Sequence, residues 1–280
     1  MSHCGRYQTA VAQANVNDAS SGPGFIYQSR DFGRSWTQNV NAPSNGWYGI
    51  AVSGSGQCQL ALPNTYKSAP LNGYLYGSND FGMTWTPRTG PGEQLWLTGA
   101  MDREGRTQVA TVFGTLSEGA TSATPGNVYI SRDFGWTWAT VPSLSDYFTS
   151  VAVSACGRHI TVGAQNCFFA PAIPKPLYVS NDGGVDWLVV NSNADNWLSV
   201  AMTADGKRQV ALSYKQEPTA TLSGYASESC DFGRTWARIR SLPQESWTSN
   251  AMSDDGAVQT LVSTLCGKVF QSFHGKKRAS

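Results

Sequence analysis

One eight-residue pattern recurs five times without a gap, and a chain that repeats itself at a fixed interval folds as an array of like units. The copies are Ser29-Arg30-Asp31-Phe32-Gly33-Arg34-Ser35-Trp36, Ser78-Asn79-Asp80-Phe81-Gly82-Met83-Thr84-Trp85, Ser131-Arg132-Asp133-Phe134-Gly135-Trp136-Thr137-Trp138, Ser180-Asn181-Asp182-Gly183-Gly184-Val185-Asp186-Trp187 and Ser229-Cys230-Asp231-Phe232-Gly233-Arg234-Thr235-Trp236. Successive serines stand 49, 53, 49 and 49 residues apart.

Each copy follows an apolar or aromatic alternation such as Gly73-Tyr74-Leu75-Tyr76-Gly77-Ser78, so it closes a β-hairpin. The residue types suit a turn: the Asp carboxylate accepts backbone N–H bonds, Gly supplies a left-handed conformation, and Trp anchors the returning strand in the core. Between the copies lies a second element, strand, tight turn, strand, as in Trp197 to Leu212. Its turn glycines are Gly5, Gly56, Gly105, Gly157, Gly206 and Gly256; Gln8, Gln59, Gln108, Gln209 and Gln259 follow three residues later, with Ile160 the exception. Two strands here and two around each eight-residue turn make a four-stranded blade.

The segments resemble the Asp-box, or BNR, repeat in the form Ser-x-Asp-x-Gly-x-Thr-Trp, and they cover nearly the whole chain. The Gly-x-x-Gln element is also similar to repeats of uncharacterised proteins of large DNA viruses and algae. The expected fold is therefore all-β: a single β-propeller over residues 1–273, with 274–280 as a short basic tail. Six strand-turn-strand elements against five complete boxes predict six blades of four antiparallel strands, incomplete at both ends. The first repeat starts at its second strand, Tyr7 to Gln13, and the last stops after Val269 to Ser272. Five blades with surplus terminal strands, or closure through a second chain, are the alternatives, and unpaired seam strands invite self-association.

Composition narrows the function. Only 14% of residues are charged and the net charge is +1, which excludes the basic face of a general nucleic-acid binder. The Lys276-Lys277-Arg278 cluster reads as a solvated tail. No apolar run approaches the roughly 20 residues that span a bilayer, and Met1 to Asn15 has no signal-peptide core. The expectation is a soluble protein, cytoplasmic or virion-associated, with no membrane insertion. Cys4, Cys58, Cys156, Cys167, Cys230 and Cys266 occupy different places in their repeats, without a Cys-x-x-Cys pair, and read as free thiols. His3, His159 and His274 stand at unrelated repeat positions, so neither a metal site nor a cofactor is expected.

A ligand site is expected at the start of the inner strands. Trp47, Trp96, Phe148, Trp197 and Trp247 each stand four residues before a repeated alanine, and Asn45, Gln94, Asp146, Asp195 and Glu245 each stand two residues before the aromatic. In a propeller these positions would form an aromatic ring beside an acid and amide ring, chemistry that suits a sugar or a cationic peptide. Alternatively the aromatics wedge between blades. The loops Val16 to Pro23, Asn64 to Asn72, Thr115 to Gly126 and Cys167 to Pro176 vary in length and would emerge on the same face.

The family resemblance raises glycoside hydrolysis, since Asp-box propellers include sialidases. The sialidase Arg-Ile-Pro signature is missing, and arginines fall in the boxes or at the Gly turns. Asp146, Asp195 and Glu245 could supply an acid and a base of the two-carboxylate type. No catalytic residue is assigned on this basis. The boxes, repeated in every blade, are read as structural, and the favoured function is a non-catalytic propeller whose partner is a protein or a glycan.

Overall fold

The computed structural model describes residues 1–13, 24–64, 73–116, 123–166, 174–190, 196–216, 222–263 and 267–273. Every element in it is a β-strand. The chain groups into two compact units, Met1–Phe148 and Thr149–Ser280.

The first unit holds three antiparallel sheets, each a simple up-and-down path. Gln8–Val11, Ile26–Ser29 and Thr37–Gln38 form the first, with three strands. Trp47–Val52, Gln59–Pro63, Leu75–Ser78 and Thr86–Arg88 form the second, and Trp96–Met101, Gln108–Val112, Val128–Ser131 and Ala139–Thr140 the third. A short ribbon, Gly114–Leu116 with Ala123–Pro125, extends beyond the third sheet.

The second unit repeats the plan. Its first sheet, the fourth of the chain, is entered through Tyr147–Val153 and continues with Ile160–Gln165, Leu177–Ser180 and Leu188–Val190. The fifth comprises Asn196–Met202, Gln209–Gln216, Ala226–Ser229 and Ala237–Arg238, with Leu222–Ser223 paired to the end of its second strand. The sixth has three strands, Trp247–Met252, Val258–Ser263 and Val269–Phe273. Among the described residues the first and sixth sheets have three strands each.

Strand lengths follow the burial pattern. Second strands such as Gln59–Pro63 and Gln108–Val112 are buried on both faces, so they read as continuous apolar runs. Fourth strands such as Thr37–Gln38, Ala139–Thr140 and Ala237–Arg238 are two residues long and exposed, short edges that resist pairing with another chain. Within each unit the core is the space between successive sheets. One cluster joins Leu60, Leu62 and Leu75 of the second sheet to Trp96, Ala110 and Val112 of the third; another joins Val210, Leu212 and Ala226 of the fifth to Trp247 and Leu261 of the sixth.

The six turn glycines all have left-handed φ, between 69° at Gly256 and 85° at Gly56. Gln8, Gln59, Gln108 and Gln209 explain the Gly-x-x-Gln spacing: each Nε2 donates to the carbonyl of its turn glycine at 2.9–3.0 Å. The cysteines need a correction. Cys4 and Cys156 share one place, immediately before a turn glycine, where Ser2 and Ser154 hydroxyls lie 3.6 and 3.5 Å from the sulfurs. Cys4, Cys58, Cys156 and Cys230 are free thiols, and Cys167 and Cys266 lie outside the described residues.

Candidate functional site

The inner-strand aromatics are the largest fully buried side chains among the described residues. Trp47, Trp96, Trp247 and Phe148 are 0% exposed and Trp197 1%. A bulge follows each tryptophan, between Trp47 and Gly49, Trp96 and Thr98, Trp197 and Ser199, and Trp247 and Ser249. The extra residue breaks the alternation of the strand and re-aims the indole, which enters the gap toward the preceding sheet. Trp47 packs there with Ile26 and Val11 of the first sheet, and Trp197 with Ala152 and Leu177 of the fourth. These tryptophans are wedges between sheets. Trp96 Nε1 donates to Gly73 O at 2.8 Å and Trp197 Nε1 to Lys175 O at 2.9 Å.

The polar residues two positions earlier are tied into the backbone. Asn45, Gln94, Asp146 and Glu245 each form an isolated bridge, to Gly24, Gly73, Gly126 and Gly224 respectively. Asn45 Oδ1 accepts the Gly46 N–H at 2.8 Å and Asp146 Oδ1 the Tyr147 N–H at 2.9 Å. Glu245 accepts from Lys268 Nζ at 3.1 Å and Ser263 Oγ at 3.3 Å. Asp195 lies outside the described residues, as do the loop segments 14–23, 65–72, 117–122 and 167–173 and the tail 274–280.

The five eight-residue turns are near-copies in three dimensions. In the first, Ser29 Oγ donates to Asp31 Oδ1 at 2.8 Å and accepts the Gly33 N–H at 2.8 Å, while Asp31 accepts from Ser35 N at 2.9 Å and Ser35 Oγ at 2.6 Å. Those hydrogen bonds, the Ser35 hydroxyl first, hold the Asp31 carboxyl down to about 2. At Asp231 burial pulls upward, but bonds from Thr235 and Ser229 outweigh it, again to about 2. Asp80, Asp133 and Asp182 are lowered the same way. Each carboxylate accepts hydrogen bonds from its own turn.

Two features of these turns were not legible from the pattern. The position before the box glycine is also left-handed, with φ of 61–65° at Phe32, Phe81, Phe134 and Phe232, and only the fourth turn places glycine there, Gly183 at 78°. The carbonyl holding that residue belongs to the nearby Gly turn: Arg6, Gln57, Arg106, Arg158 and Lys207 accept its N–H in the five repeats. The box tryptophans are also less uniform than expected. Trp85 is buried at 7%, but Trp36 is 44% exposed and does not anchor a core.

Among the exposed apolar side chains of the first unit are those of a rim on the box turns. Phe32, Trp36, Met83, Phe134 and Trp136 are all more than 40% exposed, and the Arg88 guanidinium lies 4.1 Å over the Trp136 ring. The signal for this rim was present at the variable sixth position of the repeat, where Met83, Trp136 and Val185 stand in a turn that faces water. Among the described residues no group of three His, Cys, Asp or Glu side chains could hold a metal ion, and no helix is long and apolar enough to cross a membrane.

No protein-family profile matches this chain, and neither does any curated protein sequence. Solved structures do. The GH74 xyloglucanase of Xanthomonas campestris superposes with a TM-score of 0.64 at 16% identity, over 95% of this chain and 43% of that one. The GH74 enzyme of Niastella koreensis gives 0.65 at 16% identity, again over 95% and 43%. This chain therefore spans less than half the length of either. A nidogen/laminin complex matches at 0.56 and 11% identity, over 96% of this chain and 94% of that one. At these identities the likeness speaks to fold alone, and together with the six antiparallel sheets it assigns the chain a β-propeller fold.

Proposed function

We propose that this chain is a non-catalytic interaction propeller built on Asp-box repeats, and that its partner is a protein. One observation carries the reading. The aromatic row that would have served a glycan is core, whereas the box-turn rim of the first unit presents Phe134, Trp136 and Met83 to solvent. Exposed aromatics and methionine, with arginine against one of the rings, are the composition of protein-contacting surfaces. The similarity to a nidogen/laminin complex is compatible with it.

A broad glycan array probed with the wild-type protein is expected to stay blank, and saturable binding to a defined glycan would return the lectin reading. Affinity capture from the native source is expected to retain a protein that the folded double variant Phe134→Ser, Trp136→Ser loses. Equal retention by both would remove the rim as the contact.

Glycoside hydrolysis is the second reading, favoured by the superposition on two GH74 enzymes over 95% of the chain. It predicts release of reducing sugar from plant polysaccharides, abolished in Asp146→Asn or Glu245→Gln. The bonds of Asp146 to Tyr147 and of Glu245 to Lys268 support the non-catalytic reading instead.

A further inference from the structure

The third strand of the sixth sheet, Val269–Phe273, is built unlike its five counterparts. It has five residues where they have four, and among the described residues no strand lies on its outer side. Val269 is 65% exposed, whereas Ile26, Leu75, Val128 and Leu177 at the same place are 0% exposed and Ala226 2%. Phe273 is 71% exposed. On its inner side the strand is fixed: each of its residues is paired with the second strand, and Phe270 meets Trp247 edge-on with ring centroids 5.0 Å apart.

Which of its main-chain groups are open follows from the register. Ser263 N donates to Lys268 O at 3.0 Å, so that pair is hydrogen-bonded, and in an antiparallel ladder bonded and non-bonded pairs alternate. Phe270 and Ser272 therefore bond inward, to Leu261 and Gln259, while the N–H and C=O groups of Val269, Gln271 and Phe273 point outward. Three other sheets show what such groups take. Ile26 O, Val128 O and Ala226 O, the counterparts of Val269 O, each accept at 2.8 Å an N–H from the residue just after the fourth strand. An edge left without that cover is a template for another strand.

The open edge is complementary to itself. Its outward positions read apolar, amide, apolar from either end: Val269, Gln271, Phe273. Laid antiparallel about a two-fold axis through Gln271, two copies set Gln271 against the partner's Gln271 and Val269 against the partner's Phe273. Each opposed pair then exchanges two main-chain hydrogen bonds, and an aromatic ring stands opposite a β-branched side chain at both ends. The strand carries neither charge nor proline, the devices that keep natural edges apart. The adjoining charge, Lys268, is held by Glu245 at 3.1 Å.

We propose that Val269–Phe273 is a dimer interface, at which two copies of this chain join their sixth sheets into one continuous antiparallel sheet. The pairing continues a hydrogen-bond ladder that the sheet already has, and because both copies use the same edge it closes at two chains. The interface belongs to the second unit and does not rest on the reading of the box-turn rim.

Sedimentation velocity of the full chain over a concentration series tests this. The wild type is expected to pass from one chain to two as concentration rises. Gln271→Lys sets two ammonium groups against each other at the axis and should stay at one chain throughout, whereas Val40→Lys, at an 84% exposed place in the first unit, should dimerise like the wild type. Cysteine substitution reads the register separately. Under mild oxidation Gln271→Cys is expected to form a disulfide-linked dimer, since opposed Cα atoms lie about 5.5 Å apart. Phe273→Cys, whose counterpart stands four residues along the ladder and about 13 Å away, should link roughly tenfold less; the wild type, with Cys4, Cys156 and Cys230 exposed, sets the background for both. Thermal melts check folding, and if Gln271→Lys does not fold, Gln271→Pro, which removes an outward N–H, takes its place. A wild type that stays at one chain, assembly that runs past two, dimers that survive in a folded Gln271 variant, or equal linking by Gln271→Cys and Phe273→Cys would each overturn the proposal.

Discussion

His159 stacks on Phe232 with ring centroids 4.6 Å apart and planes 25° from parallel, although the two belong to different sheets. Tyr7 covers Phe81 at 4.8 Å with the planes tilted by 37°. Both are the second residue after a turn glycine, and each roofs the box turn of the next sheet. The side chain also lies against the next turn glycine, so a Cβ on Gly206 would meet His159 Cβ at 2.7 Å and one on Gly56 would meet Tyr7 Cβ at 2.8 Å. Turn glycines therefore serve both the conformation of their own hairpin and the approach of a neighbour.

Gly206→Ala is expected to destabilise more than Gly183→Ala. Both have left-handed φ, 74° and 78°, which costs about 1–2 kcal/mol for a side chain. At Gly183 the new Cβ meets only Gly157 O at 3.7 Å, whereas at Gly206 it collides with His159 and adds about 1–3 kcal/mol of overpacking. Urea unfolding midpoints of the two variants measure the difference, and equal shifts would refute the packing contribution.

The box phenylalanines should respond to glycine with opposite signs. Phe134 is 41% exposed at φ 62°, so Phe134→Gly relieves about 1–2 kcal/mol of left-handed strain against about 0.4–1 kcal/mol of added freedom in the unfolded chain, and is expected to stabilise by a net amount of up to about 1 kcal/mol. Phe232→Gly gains the same relief but loses the stack on His159, worth about 0.5–1.5 kcal/mol beyond its buried area, and is expected to destabilise. Thermal denaturation of both variants gives the signs.

Acid should unfold the protein through its boxes. Asp31 and Asp231 titrate at about 2 in the folded chain against an ordinary value of 3.8. A depressed folded pKa contributes stability that is complete above the unfolded value and is lost as the pH falls toward the folded one. The midpoint of thermal unfolding is thus expected to hold down to about pH 4 and to drop between about pH 4 and 2. The Asp31→Asn, Asp231→Asn double variant should melt lower at pH 7 and show a shallower drop, a comparison that circular dichroism makes directly.

Trp96 and Trp247 occupy the same wedge position with different polar satisfaction. Trp96 Nε1 donates to Gly73 O at 2.8 Å, while Trp247 Nε1 is buried without a partner among the described residues. Trp96→Phe removes this bond while Gly73 O keeps the Gln94 N–H at 3.1 Å, and it is expected to cost about 0.5–1.5 kcal/mol more than Trp247→Phe, which removes an orphan donor. Truncation to alanine should cost about 3–5 kcal/mol at either site. Denaturant titrations of the four variants separate the hydrogen bond from the packing.

The repeat was legible because its chemistry is local. Ser29, Asp31, Gly33 and Ser35 bond to one another within seven residues, so the turn can be read from the string, and so can the strands that enter and leave it. The Gly-x-x-Gln spacing is local for the same reason: Gln59 reaches back three residues to the Gly56 carbonyl. Counting these two elements is enough to obtain six antiparallel sheets with short ends.

What the aromatics do was not local. Trp47 and Trp136 are both tryptophans at regular places in the repeat, yet one is 0% and the other 62% exposed. The difference is made by a bulge that re-aims Trp47 into the gap toward Ile26 and Val11, and by the turn that leaves Trp136 outside under Arg88. Sequence by itself determined the repeat, its turns and the strand order, since those rest on hydrogen bonds between near neighbours. Which rings are core and which are surface was decided by the packing of one sheet against the next, as of Trp47 against Ile26 and Val11, a relationship between residues on different sheets that the pattern of one repeat does not contain.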